Sequence, residues 1–260
     1  MEEYDYTLNP YSGCFFGCTY CYAAFFSPIA ELRDKWGNWV IVKENGRELL
    51  ASRKVGNLDG KLIYMSSVTD PYQPVERQVR LTRGILEVLA ERHAPKLVVQ
   101  TRSPDVVRDC DLFAAIQDKG GRVQVNMTVT TDDEDIRKIF EPHCPSNMAR
   151  IRAIGEVAAQ GIDTCITLTP LLLVTEPERF ADALLETGVS KFIIQPFHFA
   201  RGKFVANTRD GAFHLMAEKL DCPIESFKER YMEHYQAVER VLESRLPSLG
   251  KGKEGFSPPF

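Results

Sequence analysis

The chain lacks any long apolar run. One of its most continuous, Leu171-Leu172-Leu173-Val174, is four residues long, against the roughly 20 that a membrane helix needs. It also lacks an excess of positive charge. Thirty-two Lys and Arg stand against 36 Asp and Glu, a net charge of −4, whereas a protein whose main task is gripping phosphate backbone usually carries the opposite sign. The first residues, Met1-Glu2-Glu3-Tyr4-Asp5, are acidic, where a secretory signal requires a basic start and an apolar stretch. A cytoplasmic protein with no membrane association is expected, and nucleic acid is a disfavoured partner. Repeats, low-complexity tracts and interdomain linkers are absent too. With 44% hydrophobic and 26% charged residues, 17 Gly and 15 Pro, the composition excludes disordered, collagen-like and coiled-coil chains.

Cysteine is badly distributed for a disulfide framework. Seven are present, at 14, 18, 21, 110, 144, 165 and 222. The number is odd, and three fall within eight residues. A tight group with scattered singles reads as a metal site plus buried thiols.

What is present is alternation. Strands are expected at Tyr4–Leu8, Lys61–Met65, Lys96–Thr101, Arg122–Thr128, Ile162–Thr169 and Lys191–Pro196. Helical periodicity marks Gln78–Arg92, Pro104–Lys119, Ser146–Gln160 and Glu176–Thr187. Ser103-Pro104 reads as a helix start, and Gly161 and Gly188 as left-handed C-caps. Such alternation predicts βαβ units and a mainly parallel sheet, and an α/β barrel commonly occupies about 250 residues. Gly37–Leu50 reads as an inserted strand and short helix. Gly211–Leu220 and Ile224–Arg245 read as C-terminal helices, the second a docking place for a partner or simply a cap on the barrel. Gly250–Phe260 reads as a loosely held tail. One domain is expected over 1–260, with a core at 1–197 and a helical extension and tail at 198–260.

Polar residues gather where strands end: Ser66, Ser67 and Asp70; Thr101, Arg102 and Ser103; Asn126 and Thr128; Gln195 and His198. In a parallel barrel these ends share one face, where active sites are built. The cysteine loop, Asn9-Pro10-Tyr11-Ser12-Gly13-Cys14-Phe15-Phe16-Gly17-Cys18-Thr19-Tyr20-Cys21, follows the first strand to the same rim. Its spacing is C-x3-C-x2-C, with no fourth Cys or His close behind. A structural zinc site wants four protein ligands. Three thiolates on a four-iron cluster leave one iron open for a small chelating molecule. Buried structural thiols, a zinc knuckle and a ferredoxin-like cluster with a distant fourth ligand remain open on spacing alone.

The loop resembles the C-x3-C-x-aromatic-C signature of the radical S-adenosylmethionine (SAM) superfamily, and the chain resembles its spore photoproduct lyase-like branch. The matching stretches include Asn9-Pro10-Tyr11, Cys21-Tyr22-Ala23, Thr69-Asp70-Pro71-Tyr72-Gln73-Pro74-Val75-Glu76, Leu81-Thr82-Arg83-Gly84, Arg108-Asp109-Cys110-Asp111-Leu112 and Glu141-Pro142-His143-Cys144-Pro145-Ser146 with Arg150. Together they cover roughly 1–197. The resemblance implies a partial (β/α)6 TIM-type barrel with C-terminal helices, and a [4Fe–4S] cluster on Cys14, Cys18 and Cys21. It further implies SAM cleaved reductively to a 5′-deoxyadenosyl radical, and an external electron donor. By the same resemblance Arg102 meets the SAM carboxylate, and Ser66, Ser67 and Asp70 meet its amino group. Tyr20 holds the adenine-contact position, Asn126 and Thr128 lie within reach of the ribose, and Glu141 pairs with Arg150.

The chain departs from the lyases at the hydrogen-donating cysteine after strand two. The corresponding pair here is Ser66-Ser67, and a serine O–H bond is too strong to donate a hydrogen atom readily. No catalytic residue is assigned; Tyr20 and Cys144 are the candidates. The substrate expected is a peptide or protein, as in ribosomal-peptide maturation, with a small partner protein presenting it. Arg201-Gly202-Lys203-Phe204 is a place to touch an acidic peptide or a phosphate. The alternatives are a DNA-lesion lyase and a non-catalytic iron–sulfur or zinc interaction module.

Overall fold

A computed structural model describes residues 3–200 and 208–260. The expected contact at Arg201 to Phe204 falls outside them. The N-terminal elements are β1 (Tyr6–Leu8), β2 (Tyr11–Gly13), α1 (Ala30–Asp34), β3 (Val40–Val42), α2 (Gly46–Ala51) and β4 (Leu62–Met65). Next come α3 (Glu76–Val79), α4 (Leu81–Arg92), β5 (Lys96–Thr101), α5 (Cys110–Asp118), β6 (Arg122–Thr128), α6 (Glu134–Phe140) and α7 (Asn147–Ala159). The last are β7 (Asp163–Leu168), α8 (Pro177–Leu185), β8 (Lys191–Ile194), α9 (Asp210–Lys219), α10 (Phe227–Arg245) and β9 (Leu249–Lys251).

Among the described residues, seven strands form one sheet in the order β1-β4-β5-β6-β7-β8-β9, every pairing in it parallel. This is an α/β partial barrel with C-terminal helices, as expected. Side-chain parity explains its two faces. On β6, Val123, Val125 and Met127 join the apolar core shared with the helices. Gln124, Asn126 and Thr128 alternate with them; Gln124 bonds Asn126, and Asn126 and Thr128 bond the neighbouring strands inside the barrel.

Several boundaries differ from expectation for physical reasons. The periodic stretch 78–92 is two helices, broken at Arg80, which takes a left-handed φ of 53°. The Glu76 carboxylate accepts from the backbone N–H of Thr82 and Arg83, so α4 starts afresh on a buried acid. Pro104–Asp109 is a 3-10 turn before α5. Helix α6 carries no long apolar stripe and went unpredicted, yet the Asp133 carboxylate caps it by accepting from Asp135 and Ile136 N–H. The largest correction is the tail. Residues 249–251 are a strand, β9, pairing with β8 through Phe192↔Leu249 and Ile194↔Lys251, so the tail extends the sheet from six strands to seven.

A second apolar core lies beside the cysteine loop. Cys14, Cys18, Tyr20, Phe140 and Phe197 meet Phe213, Phe227 and Tyr231 of α9 and α10 there. Phe197 and Tyr231 stack with ring centroids 4.8 Å apart. The buried stripe of α10, Phe227, Tyr231, Tyr235, Val238 and Leu242, is therefore used within this chain, as a cap on the barrel.

Candidate functional site

The cysteine loop is held before any thiol is considered. β2 delivers Gly13 to the loop and pairs antiparallel with β3 of the insertion. Gly17 (φ 62°) and Gly37 (φ 99°) bring two backbones together: a Cβ on Gly37 would lie 2.9 Å from Gly17 Cα. Only glycine fits that approach at that φ. From the far side, Gln73 Oε1 accepts from Phe15 N at 2.9 Å, and Thr69 Oγ1 donates to Gly13 O at 2.7 Å. Thr19 N donates to Phe140 O at 2.8 Å.

The three thiols differ. Cys14 and Cys18 are buried and Cys21 is half-buried. Burial pushes Cys14 well above the usual thiol range and Cys21 up to about 12. Cys18 is lowered, by its hydrogen bond with Cys144 and by the Arg102 charge, against the effect of burial. Its sulfur lies 3.6 Å from Cys144 Sγ and 3.2 Å from Arg102 Nη1. Among the described residues, no three His, Cys, Asp or Glu side chains close on a point as a single-ion cage.

Above the loop stands a buried carboxylate. Glu141 Oε1 accepts from Tyr20 OH (2.5 Å), Arg102 Nη1 (2.9 Å) and Thr130 Oγ1 (2.8 Å), and Oε2 accepts from Arg150 Nη2 (2.5 Å). Burial alone would raise its pKa, but the Arg150 and Arg102 charges outweigh that and hold it near 2. One carboxylate against two guanidiniums leaves a net positive charge at the rim, on the side of Cys18. The Glu141–Arg150 pair expected from the sequence is present.

The remaining sites divide into open and occupied. Ser66 is buried with φ 74°, and its Oγ has no hydrogen-bond partner among the described residues. Ser67 Oγ bonds Asn9 Nδ2 at 3.2 Å. Asp70 accepts from Tyr72 N, Thr101 Oγ1 and Arg102 N, so it ties β5's end to the turn after β4. Thr128 Oγ1 meets Gln100 Nε2 at 2.8 Å and Thr167 Oγ1 at 3.0 Å, and Asn126 bonds Gln100 and Gln124. The Tyr20 ring packs between Phe197, 6.3 Å away, and Arg102, 5.8 Å away. Sequence reasoning missed Gln73, Thr130 and Phe197. The Gln73 signal was its place in the stretch 69–76, quoted for resemblance and not for its grip on the loop.

The profile of the Radical SAM superfamily matches residues 8–187. The chain belongs to the radical SAM superfamily. As a radical SAM protein its cofactors are a [4Fe–4S] cluster and SAM. The loop fits that cluster: three thiols, two glycines admitting close backbone, the Arg102 donor on the Cys18 sulfur, and a buried hydroxyl at Ser66 with no partner among the described residues.

An uncharacterised protein of Methanocaldococcus jannaschii is 38% identical over 167 residues, 64% of this chain and 60% of that one. An uncharacterised protein of Mycobacterium tuberculosis is 28% identical over 216 residues, covering 78% of this chain and 62% of its own length. The radical SAM chain thus spans about 60% of the length of these curated relatives. Spore photoproduct lyase, solved with AdoMet and dinucleoside spore photoproduct, superposes with a TM-score of 0.54 at 15% identity, over 94% of this chain and 75% of that one. Streptococcus suis SuiB bound to precursor peptide SuiA superposes at 0.53 and 11% identity, over 95% and 48%. At such identities the likeness is one of fold. Among the described residues no helix is long and apolar enough to cross a membrane.

Proposed function

We propose that this radical SAM protein is an enzyme that cleaves SAM reductively and abstracts hydrogen from a peptide or protein substrate. The observation that carries the substrate class is Ser67. It is a hydroxyl hydrogen-bonded to Asn9, where the resemblance aligns the lyase's hydrogen-donating thiol. Lesion repair needs that donation, and an O–H bond is too strong to supply it. The net charge of −4 also disfavours a DNA duplex. SuiB, a neighbour in fold, was solved with a precursor peptide, which supports the same class.

When bound, the cluster supplies the electron that splits SAM into methionine and a 5′-deoxyadenosyl radical. The chain's own residues bind and orient. Cys14, Cys18 and Cys21 are the thiols that would hold the cluster. Ser66 Oγ, buried and without a partner among the described residues, accepts from the SAM ammonium, beside Ser67 and Asp70. The net positive charge of Arg102, Glu141 and Arg150 receives its carboxylate, with Arg102 as the contact. Tyr20 lies beside the adenine, and Asn126 and Thr128, on the inward face of β6, serve the ribose. We take 1–260 as one domain, because α9 and α10 pack on the cysteine loop. We place it in the cytoplasm, where seven unpaired cysteines and an oxygen-sensitive cluster are kept reduced. An external electron donor and a small presenting partner complete the system.

Anaerobic reconstitution should give about four irons per chain, and a strong reductant should then release 5′-deoxyadenosine and methionine from SAM. Arg102→Ala should weaken SAM binding about 10- to 150-fold, the worth of a charge-assisted contact of roughly 1.5–3 kcal/mol. One zinc per chain without charge-transfer absorption would sink the enzyme reading. A mass change in a co-expressed peptide, lost in Cys18→Ala, supports the peptide substrate. Enzymatic turnover of dimer-containing DNA defeats it in favour of a lesion lyase.

A further inference from the structure

Cys144 is a buried thiol that the proposed chemistry does not use. It follows α6 in a turn that fixes its backbone at both ends. Its N–H donates to Glu141 O at 3.1 Å, and its carbonyl accepts from Arg137 Nη1 at 2.8 Å. The side chain is 7% exposed, and its sulfur faces two acceptors, Cys18 Sγ at 3.6 Å and Phe16 O at 3.9 Å.

Between two thiols, either sulfur can donate. Ligation removes that ambiguity, because an iron-bound Cys18 carries no proton and can only accept. It then holds negative charge, which makes it a stronger acceptor than the neutral, more distant Phe16 carbonyl. Arg102 Nη1 points at the same sulfur from 3.2 Å. Two side chains, Cys144 and Arg102, thus converge on the Cys18 sulfur.

We propose that Cys144 tunes the cluster through Cys18: its thiol donates a hydrogen bond to the Cys18 ligand sulfur and, with Arg102, raises the cluster's reduction potential. This rests on Cys18 being a cluster ligand, as proposed above. Reduction adds negative charge to the cluster and its thiolates. A donor aimed at one of those sulfurs stabilises the reduced state more than the oxidised one. With Cys18 4% and Cys144 7% exposed, little water screens the contact. Cys144 is thus a positioning residue whose effect reaches the reaction through the ease of loading an electron.

The test is a redox titration of the reconstituted protein without substrate, following the reduced cluster by electron paramagnetic resonance. Wild type is compared with Cys144→Ala, the better-filling Cys144→Val and Cys144→Ser. Iron per chain should be unchanged in all four. The midpoint should move to more negative potential in Ala and Val and return most of the way in Ser, whose hydroxyl can still donate. Ala and Val titrating at the wild-type potential with full iron would overturn the proposal. So would loss of iron in both, which would make Cys144 a ligand. Wild-type protein that takes up no iron would instead overturn the cluster reading on which this rests, and the iron assay separates the two failures.

Discussion

Glu141 is the residue on which the site's polar half converges, joining the cysteine loop through Tyr20, strand β5's end through Arg102 and helix α7 through Arg150. Arg150 and Glu141 are both fully buried, so Glu141→Gln strands a guanidinium without its counter-charge, at a cost of about 3–5 kcal/mol. The carboxyl's folded pKa, about 2, lies below its ordinary 4.5. Its contribution is therefore complete above the ordinary value and lost as pH falls through the window between the two. Denaturant unfolding should separate wild type from Glu141→Gln fully at pH 7, with the gap closing between about pH 4.5 and 2. A gap as wide at pH 3 as at pH 7 would refute the assignment. The Glu141–Arg150 pair was readable from the quoted stretch. The reach to Arg102, 39 residues away in the chain, was not, because sequence spacing says nothing about which strand ends meet.

At the scale of elements, the cysteine loop depends on an insertion that brings no chemistry of its own. β3 pairs with β2, and Gly37 sets its backbone against Gly17. A methyl at Gly37 meets Gly17 Cα at 2.9 Å, at a φ of 99°. Gly37→Ala should therefore force the loop from its support. The expected loss is about 1–3 kcal/mol, with reduced iron retention after reconstitution measured beside wild type. Full iron and unchanged stability would mean that the insertion does not brace the loop. The insertion itself was legible as a strand and short helix. The three-residue β2, buried between two turns, was not, because so short a run has no period to read. The same holds for α3 and α4, where one periodicity ran through a break imposed by a buried acid.

Across the molecule, the last strand closes what the first begins. β9 extends the sheet beyond β8, and Tyr4 OH reaches Phe256 O at 3.4 Å. Together with Gln124, Lys191 and Ser257 these segments line a cavity of about 290 Å³. Deleting 249–260 would bare the β8 edge, a surface prone to wrong pairing. The melting temperature should fall by at least about 2–4 °C, the shift that 1 kcal/mol produces in a chain of roughly this size, with increased aggregation on heating. An unchanged melting curve would return the tail to the loosely held state read from its Gly and Pro content.

The sequence alone determined the class of fold, because strand and helix periods alternate along the chain. It also put three thiols on one short segment through C-x3-C-x2-C, a spacing that by itself leaves zinc and iron–sulfur readings both open. Four of the six expected parallel strands were located to within a residue for the same local reason; β1 began two residues late and β8 ended two residues early. Only the tertiary structure decided which polar strand ends face one another. It occupied Ser67 and Asp70, left Ser66 Oγ without a partner among the described residues, turned Asn126 and Thr128 into a network inside the barrel, and set Cys144 against Cys18. The contacts between strands and to the loop span from 26 to 126 positions in the chain, fixed by sheet register and by packing on α6, α9 and α10, where no local pattern in the chain can be read.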